Sequence, residues 1–317
     1  MKTGLVVDSA CDLPDTFITD NNIFVIPLNI SIAGESIGDT LSETERLAIY
    51  NEGRIDKSMQ AESSPTTTEQ IKEYMLDNVV TKTDFAICET IARSRSPTYS
   101  HYLDVSQGMQ VHAQEIRKQA NCITPFSMRV VSTGTVFSGQ GLTAAHTIKL
   151  INEGISKNQL RRAIEEFKPQ VKSFGIPPDL TYLRNRARKK GDKSVGFLTS
   201  IIGKALEVTP VVLGCNEETY PIAKIRGFEN ALKAVLNFVA TKVQSGLSTP
   251  YIVISIAGDP KELFNFNEYA SLQNIAQSHN IEILLSVMSL SGGINLGPGS
   301  ITVSVAYEGD DVEIDAQ

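Results

Sequence analysis

The sequence predicts an α/β fold of two domains: a mostly parallel sheet with helices over residues 1–152, then an α/β domain with a mixed sheet over 153–317. Three observations carry this expectation. Short apolar runs alternate with longer amphipathic segments, as strands and helices do in an α/β chain. A length of 317 residues is enough for two domains with sizeable cores. Past residue 151 the strand–helix alternation is interrupted by a hairpin pattern, so the second sheet is expected to mix parallel and antiparallel strands.

Taken in order, 5–7 reads as a first strand ended by Asp8 and Ser9, with Asp12 or Asp15 placed to cap the helix after it. Residues 23–32 read as a second strand running into a hairpin at "AGES". Strands at 85–88 and 130–132 are each followed by a helix, a long one over 98–119 and one opening at "FSGQGLTAAH". Beyond 152 we expect a helix over 156–167, a strand at 171–174, a short helix near 179–186 and the basic run "RNRARKKGDK" at 184–193. A helix at 198–206 follows, then the hairpin "VTPVVLG"/"TYPIAKIR" and a helix at 228–244. Strand 252–256, helix 261–279 and strands 281–287 and 301–306 come last, before an acidic tail.

Composition narrows the function classes. Apolar and charged fractions of 41% and 21% are those of an ordinary soluble globular chain. A net charge of -7 argues against non-specific nucleic-acid binding, which needs a broad basic surface. The start "MKTGLVVDSACDLP" does not read as a signal peptide, and no apolar run approaches the roughly 20 residues of a membrane span. Cys11, Cys88, Cys122 and Cys215 are scattered, which fits reduced thiols in a cytoplasmic protein and makes a zinc site improbable.

The stretch "SLSGGINLGPGSITVSV" places Gly292, Gly293, Gly297 and Gly299 between two expected strands. Phosphate-binding glycine loops run from a strand into a helix, and no helix is expected here, so dinucleotide binding is disfavoured. "SGQGL" at 138–142 does open a helix, where anions are attracted, but two glycines also permit close helix–sheet packing, the better reading of that pair. Hydroxyls recur at strand ends: Ser9, "ESSPTTT" at 62–68, Ser94, Ser96, Ser132 and Thr133. Singly, each suits capping and turns. Together, at the carboxyl ends of strands where α/β sheets bind ligands, they suit a polar head group held by neutral hydrogen bonds.

Catalytic machinery is not legible. There is no G-x-S-x-G elbow, no H-E-x-x-H and no acidic cluster of metal-binding pattern. His101, His112, His146 and His279 fall on expected helices and read as solvated. The basic run at 184–193 reads as a solvated or partner-facing segment.

In order and spacing, these pieces resemble the DegV family of bacterial fatty-acid-binding proteins. "VVDSACDLP" is similar to that family's D-S-T-x-D-L-P, and "PLNISIAGESIGDT" to its following hairpin, with Asp39 kept and Ile37 for an aromatic. "ESSPTT" stands where the family has T-S-Q-P-S-P, and "IARSRSPTYS" where it has I-S-S-x-L-S-G-T-Y. "LTYLRNRAR" resembles L-x-Y-L-x-x-G-G-R, "VTPVV" resembles I-K-P-I-L, and "GGINLGPGS" resembles G-x-H-x-G-P-G.

The resemblance implies a Rossmann-like N-terminal domain packed on a second α/β domain, and a buried long-chain fatty acid, such as palmitate, with its carboxylate near the domain interface and no other cofactor or metal. It also implies a non-enzymatic carrier, in some members one that presents the acid to an ATP-binding fatty-acid kinase subunit. Burying a methylene is worth about 0.8 kcal/mol, so a sixteen-carbon chain offers on the order of 10 kcal/mol before ordering costs. An alternative of another class is an enzyme acting on a phosphorylated or carboxylated small molecule; a degenerate member binding another amphiphile is a third.

The head-group residues implied are Glu62, Ser63, Ala92, Arg93, Ser94, Ser96, Asn295 and Gly297. Ser63, Ser96 and Gly297 match the family pattern. Glu62, Ala92, Arg93 and Asn295 depart from it, and Ser94 can supply a missing hydroxyl. A glutamate beside a fatty carboxylate is repulsive unless neutralised. We therefore expect Arg93 or Arg95 to pair with Glu62 or to take the ligand carboxylate directly.

Overall fold

A computed structural model describes residues 2–39, 41–56, 60–190, 208–310 and 312–314. Its first sheet is four-stranded and wholly parallel, in the order β2-β1-β6-β7, from β1 (Thr3–Asp8), β2 (Phe24–Ile26), β6 (Phe85–Thr90) and β7 (Ser127–Ser132). Every residue of β6 is buried, as expected of a parallel strand covered on both faces. The long helix α4 (Thr98–Gln119) covers one face through Tyr102, Val105, Met109 and Ala113.

The second sheet has six strands in the order β10-β9-β8-β13-β11-β12. These are β8 (Val171–Ile176), β9 (Val208–Cys215), β10 (Glu218–Arg226), β11 (Tyr251–Ile256), β12 (Glu282–Val287) and β13 (Ile301–Ala306). Only β11 and β12 run parallel; the other pairs are antiparallel, giving the mixed sheet that was expected. Helix α8 (Phe228–Ser245) seals this sheet with Leu232, Val235, Leu236 and Val239.

Helix α5 (Ser138–Asn152) joins the two layers. It is buried from Ser138 to Ile148, and its Leu142, Ala144, Ala145 and Ile148 share one core with Leu5, Val7 and Ile87 of the first sheet and Val253 and Leu284 of the second. Its glycines serve this packing: a Cβ at Gly139 would lie 2.8 Å from Thr135 and 2.9 Å from Ser173, and one at Gly141 would overlap the Asp12 carbonyl oxygen.

A small antiparallel sheet, β4-β3-β5, is built from β3 (Asn29–Ile32), β4 (Glu35–Gly38) and β5 (Ala61–Ser64). It packs with α2 (Glu43–Asn51) against Met288, Leu290 and Ile294. Helices α2 and α3 (Thr68–Tyr74) were not expected, although each opens with a capping box, Ser42 with Glu45 and Thr67 with Gln70.

Four expectations need correction. The glycine-rich stretch is not a turn between strands: Leu290–Leu296 is a helix, α10, whose first turn is capped by Ser289. Glycine is a poor helix former, but the site has no room for a larger residue, since a Cβ at Gly293 would overlap the Tyr50 hydroxyl. The segment 261–279 is two helices, a 3-10 turn at Pro260–Asn265 and α9 (Asn267–Ser278), parted by extended Phe266. Asp12 and Asp15 do not cap α1 (Asp15–Asp20), whose first turn has no side-chain cap. His146 is buried, stacked at 3.8 Å on Phe167 at the end of α6 (Lys157–Phe167), because α5 is enclosed from Ser138 to Ile148. The helix expected at 198–206 and residues 191–193 of the basic run lie outside the described residues.

Candidate functional site

At the carboxyl end of β1 the loop "DSACDLP" turns inward. Asp8 accepts from the backbone N–H groups of Ala10 at 3.1 Å and Ile91 at 2.9 Å, tying the end of β1 to the loop after β6. Ser9 donates to Asp39 at 2.9 Å and accepts from the Leu28 N–H at 2.9 Å, fixing the first hairpin. Asp12 accepts from Ser255 at 2.5 Å and from the Ser289 N–H at 2.9 Å, joining the loop to the second sheet. Burial pushes Asp8 and Asp12 up to about 6 and Asp39 to about 7. These side chains form the joint between the two sheets.

A cavity of about 300 Å³ lies beside this joint, with Asp12, Asp39 and Arg46 on its wall. Arg46 is 3.5 Å from Asp15. A ligand carboxylate placed there would face two buried carboxyls.

The eight head-group candidates fall into two groups. In the first, Glu62 and Ser63 lie on β5, and Asn295 and Gly297 lie at the end of α10. The Asn295 amide donates to Ser63 Oγ at 3.2 Å and to the Ser291 carbonyl at 2.7 Å. Gly297 ends α10 with φ of 103°, and a Cβ there would stand 2.9 Å from the Tyr182 ring. This left-handed, crowded position is one that glycine alone fills without strain.

Two residues of α7 (Leu180–Lys190), absent from our list of candidates, complete this group. Arg186 donates from Nε to Asn295 Oδ1 at 3.4 Å and from a terminal nitrogen to the Ala61 carbonyl at 3.0 Å. Lys189 forms an ion pair with Glu62 at 2.5 Å, which holds that carboxyl below its usual range. The basic run is thus not uniformly solvated, since Arg186 is only 4% exposed. Its spacing of one turn from Tyr182, whose hydroxyl donates to the Ile294 carbonyl at 2.8 Å, was the available signal.

In the second group, Ala92, Arg93, Ser94 and Ser96 follow β6. The Ala92 N–H donates to the Thr135 carbonyl at 2.9 Å, and Ser96 Oγ is 2.7 Å from Thr98 Oγ1 at the start of α4. Arg93 does not reach Glu62. Its Nε lies 3.6 Å from Glu217, in the tight turn between β9 and β10, and its N–H donates to Ser132 at 3.0 Å. Ser94 also bonds to Glu217. The two groups are neighbours, because His101 in the first turn of α4 donates to the Thr66 carbonyl, just past β5, at 2.8 Å.

Most strand-end hydroxyls satisfy backbone groups, as Thr66 does for Pro27 and Thr133 for Thr90. Among the described residues, no group of three or more His, Cys, Asp or Glu is placed to hold a metal ion, and no helix is long and apolar enough to cross a membrane.

A parallel sheet and a mixed sheet locked through one buried helix define a two-sheet α/β protein, and a polar cluster is built from β5, α7 and α10. The chain belongs to the DegV family: the model described as "Uncharacterised protein, DegV family" matches residues 2–308. A DegV domain-containing protein of Xanthomonas axonopodis pv. citri is 36% identical over 308 residues, covering 97% of this chain and 98% of the relative.

Solved structures share the fold. A DegV lipid-binding protein of Thermotoga maritima superposes with a TM-score of 0.74 at 19% identity, covering 96% of this chain and 98% of that one. DegV of Bacillus subtilis, a fatty-acid-binding protein, gives 0.71 at 18%, covering 97% and 100%. A stearic-acid-binding protein of Eubacterium ventriosum gives 0.70 at 18%, covering 96% and 98%.

Proposed function

We propose that this protein binds a long-chain fatty acid such as palmitate, with the tail buried and the carboxylate held beside Ser63 and Asn295. The observation that carries this reading is the polar cluster itself. Ser63, Asn295 and Gly297 come together from distant parts of the chain, where two of the family's head-group motifs fall, and Arg186 adds a positive charge. Membership of a family whose solved relatives include fatty-acid-binding proteins supports it. In this reading the 92–96 loop forms the neighbouring rim, held by Glu217.

The protein then acts as a carrier rather than an enzyme, presenting the acid to an ATP-binding kinase subunit that forms the acyl phosphate. Its working compartment is the cytoplasm, in keeping with four free cysteines. A domain boundary near 152 goes with this reading: the parallel sheet is drawn from residues 3–132 and the mixed sheet from 171–306.

The experiment is native mass spectrometry of the purified protein, followed by solvent extraction and identification of the released molecule. A co-purified fatty acid, or stoichiometric uptake of added palmitate, is the expected result. A protein that neither carries nor takes up a fatty acid would overturn the proposal.

A further inference from the structure

Helix α7 turns Tyr182 and Arg186 toward α10 from positions one turn apart, and this contact carries a guanidinium into the interior. Arg186 is 4% exposed. The acceptors it meets, Asn295 Oδ1 and the Ala61 carbonyl, are both neutral. Glu62, the carboxylate whose charge reaches it, is committed to Lys189. A guanidinium stays protonated at any working pH, and a buried charge is costly unless an opposite charge accompanies it. Among the described residues the protein supplies hydrogen bonds to Arg186 without a close counter-charge.

The surrounding hydrogen bonds are arranged for an incoming acceptor. Arg186 donates to the oxygen of the Asn295 amide and so turns its nitrogen toward Ser63. Because Ser63 Oγ accepts from that nitrogen, its own hydrogen is left to donate. The departures from the family pattern also meet here, since Arg186 stands where the pattern quoted above has its first glycine and Asn295 where it has histidine. Arg93, by contrast, is 64% exposed and paired with Glu217.

We propose that Arg186 is the residue that recognises the head group, pairing with the ionised carboxylate of the bound lipid next to Ser63, so that the site selects an anionic amphiphile over a neutral one of equal length. This rests on the fatty-acid reading and adds to it the residue and the charge state.

The test compares palmitate with 1-hexadecanol, which shares the chain but carries no charge, in the full-length protein and in Arg186→Met. The wild type is expected to prefer palmitate by about tenfold or more. Arg186→Met is expected to lose that preference through weaker palmitate binding, with hexadecanol affinity kept within about threefold. A second readout is the carboxyl carbon signal of bound [1-13C]palmitate against pH. Beside Arg186 it should titrate about 1–3 pH units lower than in the variant.

An unchanged preference together with an unchanged titration in Arg186→Met overturns the assignment while leaving lipid binding intact. Failure of the wild type to bind either lipid overturns the fatty-acid reading and this assignment with it. Should the methionine variant not fold, Arg186→Lys keeps the charge without the two-pronged contact. A reduced preference with a carboxyl still titrating below that of free palmitate is then expected, and an unaltered preference overturns the proposal.

Discussion

Ser94 and Glu217 grip each other between the loop that leaves the first sheet and the turn that joins two strands of the second. The Ser94 hydroxyl donates to the Glu217 carbonyl, and the Ser94 N–H donates to the Glu217 carboxylate at 3.3 Å. The same carboxylate accepts from Ser132 at 2.6 Å, and the Glu217 N–H donates to the Gly134 carbonyl at 2.8 Å. Glu217 does this from a left-handed backbone with φ of 71°, an uncommon setting for a non-glycine residue.

That clasp predicts a graded response. Glu217→Ala leaves Ser132 and the Ser94 N–H without an acceptor while keeping the unfavourable φ, a loss of about 1–3 kcal/mol in urea unfolding. Glu217→Gly relieves the backbone and should recover about 1 kcal/mol of that loss. Equal loss in both variants would show that the backbone strain contributes nothing.

Arg117 should be among the costliest residues to remove. It is buried at the end of α4, paired with Asp84 at 2.7 Å, and donates to the carbonyls of Val80, Thr83 and Thr124. Arg117→Ala leaves partly exposed Asp84 unpaired and takes the donor from three carbonyls, so a loss of about 2–4 kcal/mol is expected. Urea unfolding followed by circular dichroism measures it.

Stability should fall as pH rises from about 4 to about 7. Burial pushes Asp8 and Asp12 up to about 6 and Asp39 and Glu89 to about 7, whereas the unfolded chain releases these protons near 4. Across that window the folded state holds more protons, so stability present at acid pH is lost as pH climbs through the folded values. His146, pushed down to about 4 by burial, works the other way up to about 6.5. It is one group against four. The urea midpoint should therefore decline between pH 5 and 7.5, and Asp39→Asn should flatten the decline; a rising midpoint would contradict the argument.

Gly141→Ala tests how tightly α5 is seated. A Cβ there would overlap the Asp12 carbonyl, which is backbone and cannot rotate away. A loss of about 3 kcal/mol is expected in thermal or urea unfolding. Gly175→Ala serves as the control, because its nearest neighbour would be at 3.7 Å.

The residues that define elements by local chemistry were readable. The parallel strands, the long helix at Thr98–Gln119 and the hairpin of β9 and β10 follow from apolar runs and turn residues. The capping boxes at Ser42 and Thr67 were equally local and were overlooked. Helix α10 was not readable, because two glycines oppose a helix and only the closeness of Tyr50 and Met288 demands them.

The candidate site divides in the same way. Ser63, Ser94, Asn295 and Gly297 stood out through motif position. Their sorting into two groups, with Arg93 drawn to Glu217 and Glu62 to Lys189, depends on residues 124 and 127 positions away in the chain.

By itself the sequence determined the α/β class, the order of most elements and the family pattern, since periodicity, turn chemistry and motif order act over a few residues at a time. Only the tertiary structure decided which charges are neutralised and which are buried. Burial and pairing depend on what packs against a side chain, and at Arg186 those neighbours come from β5 and α10, far along the chain on either side.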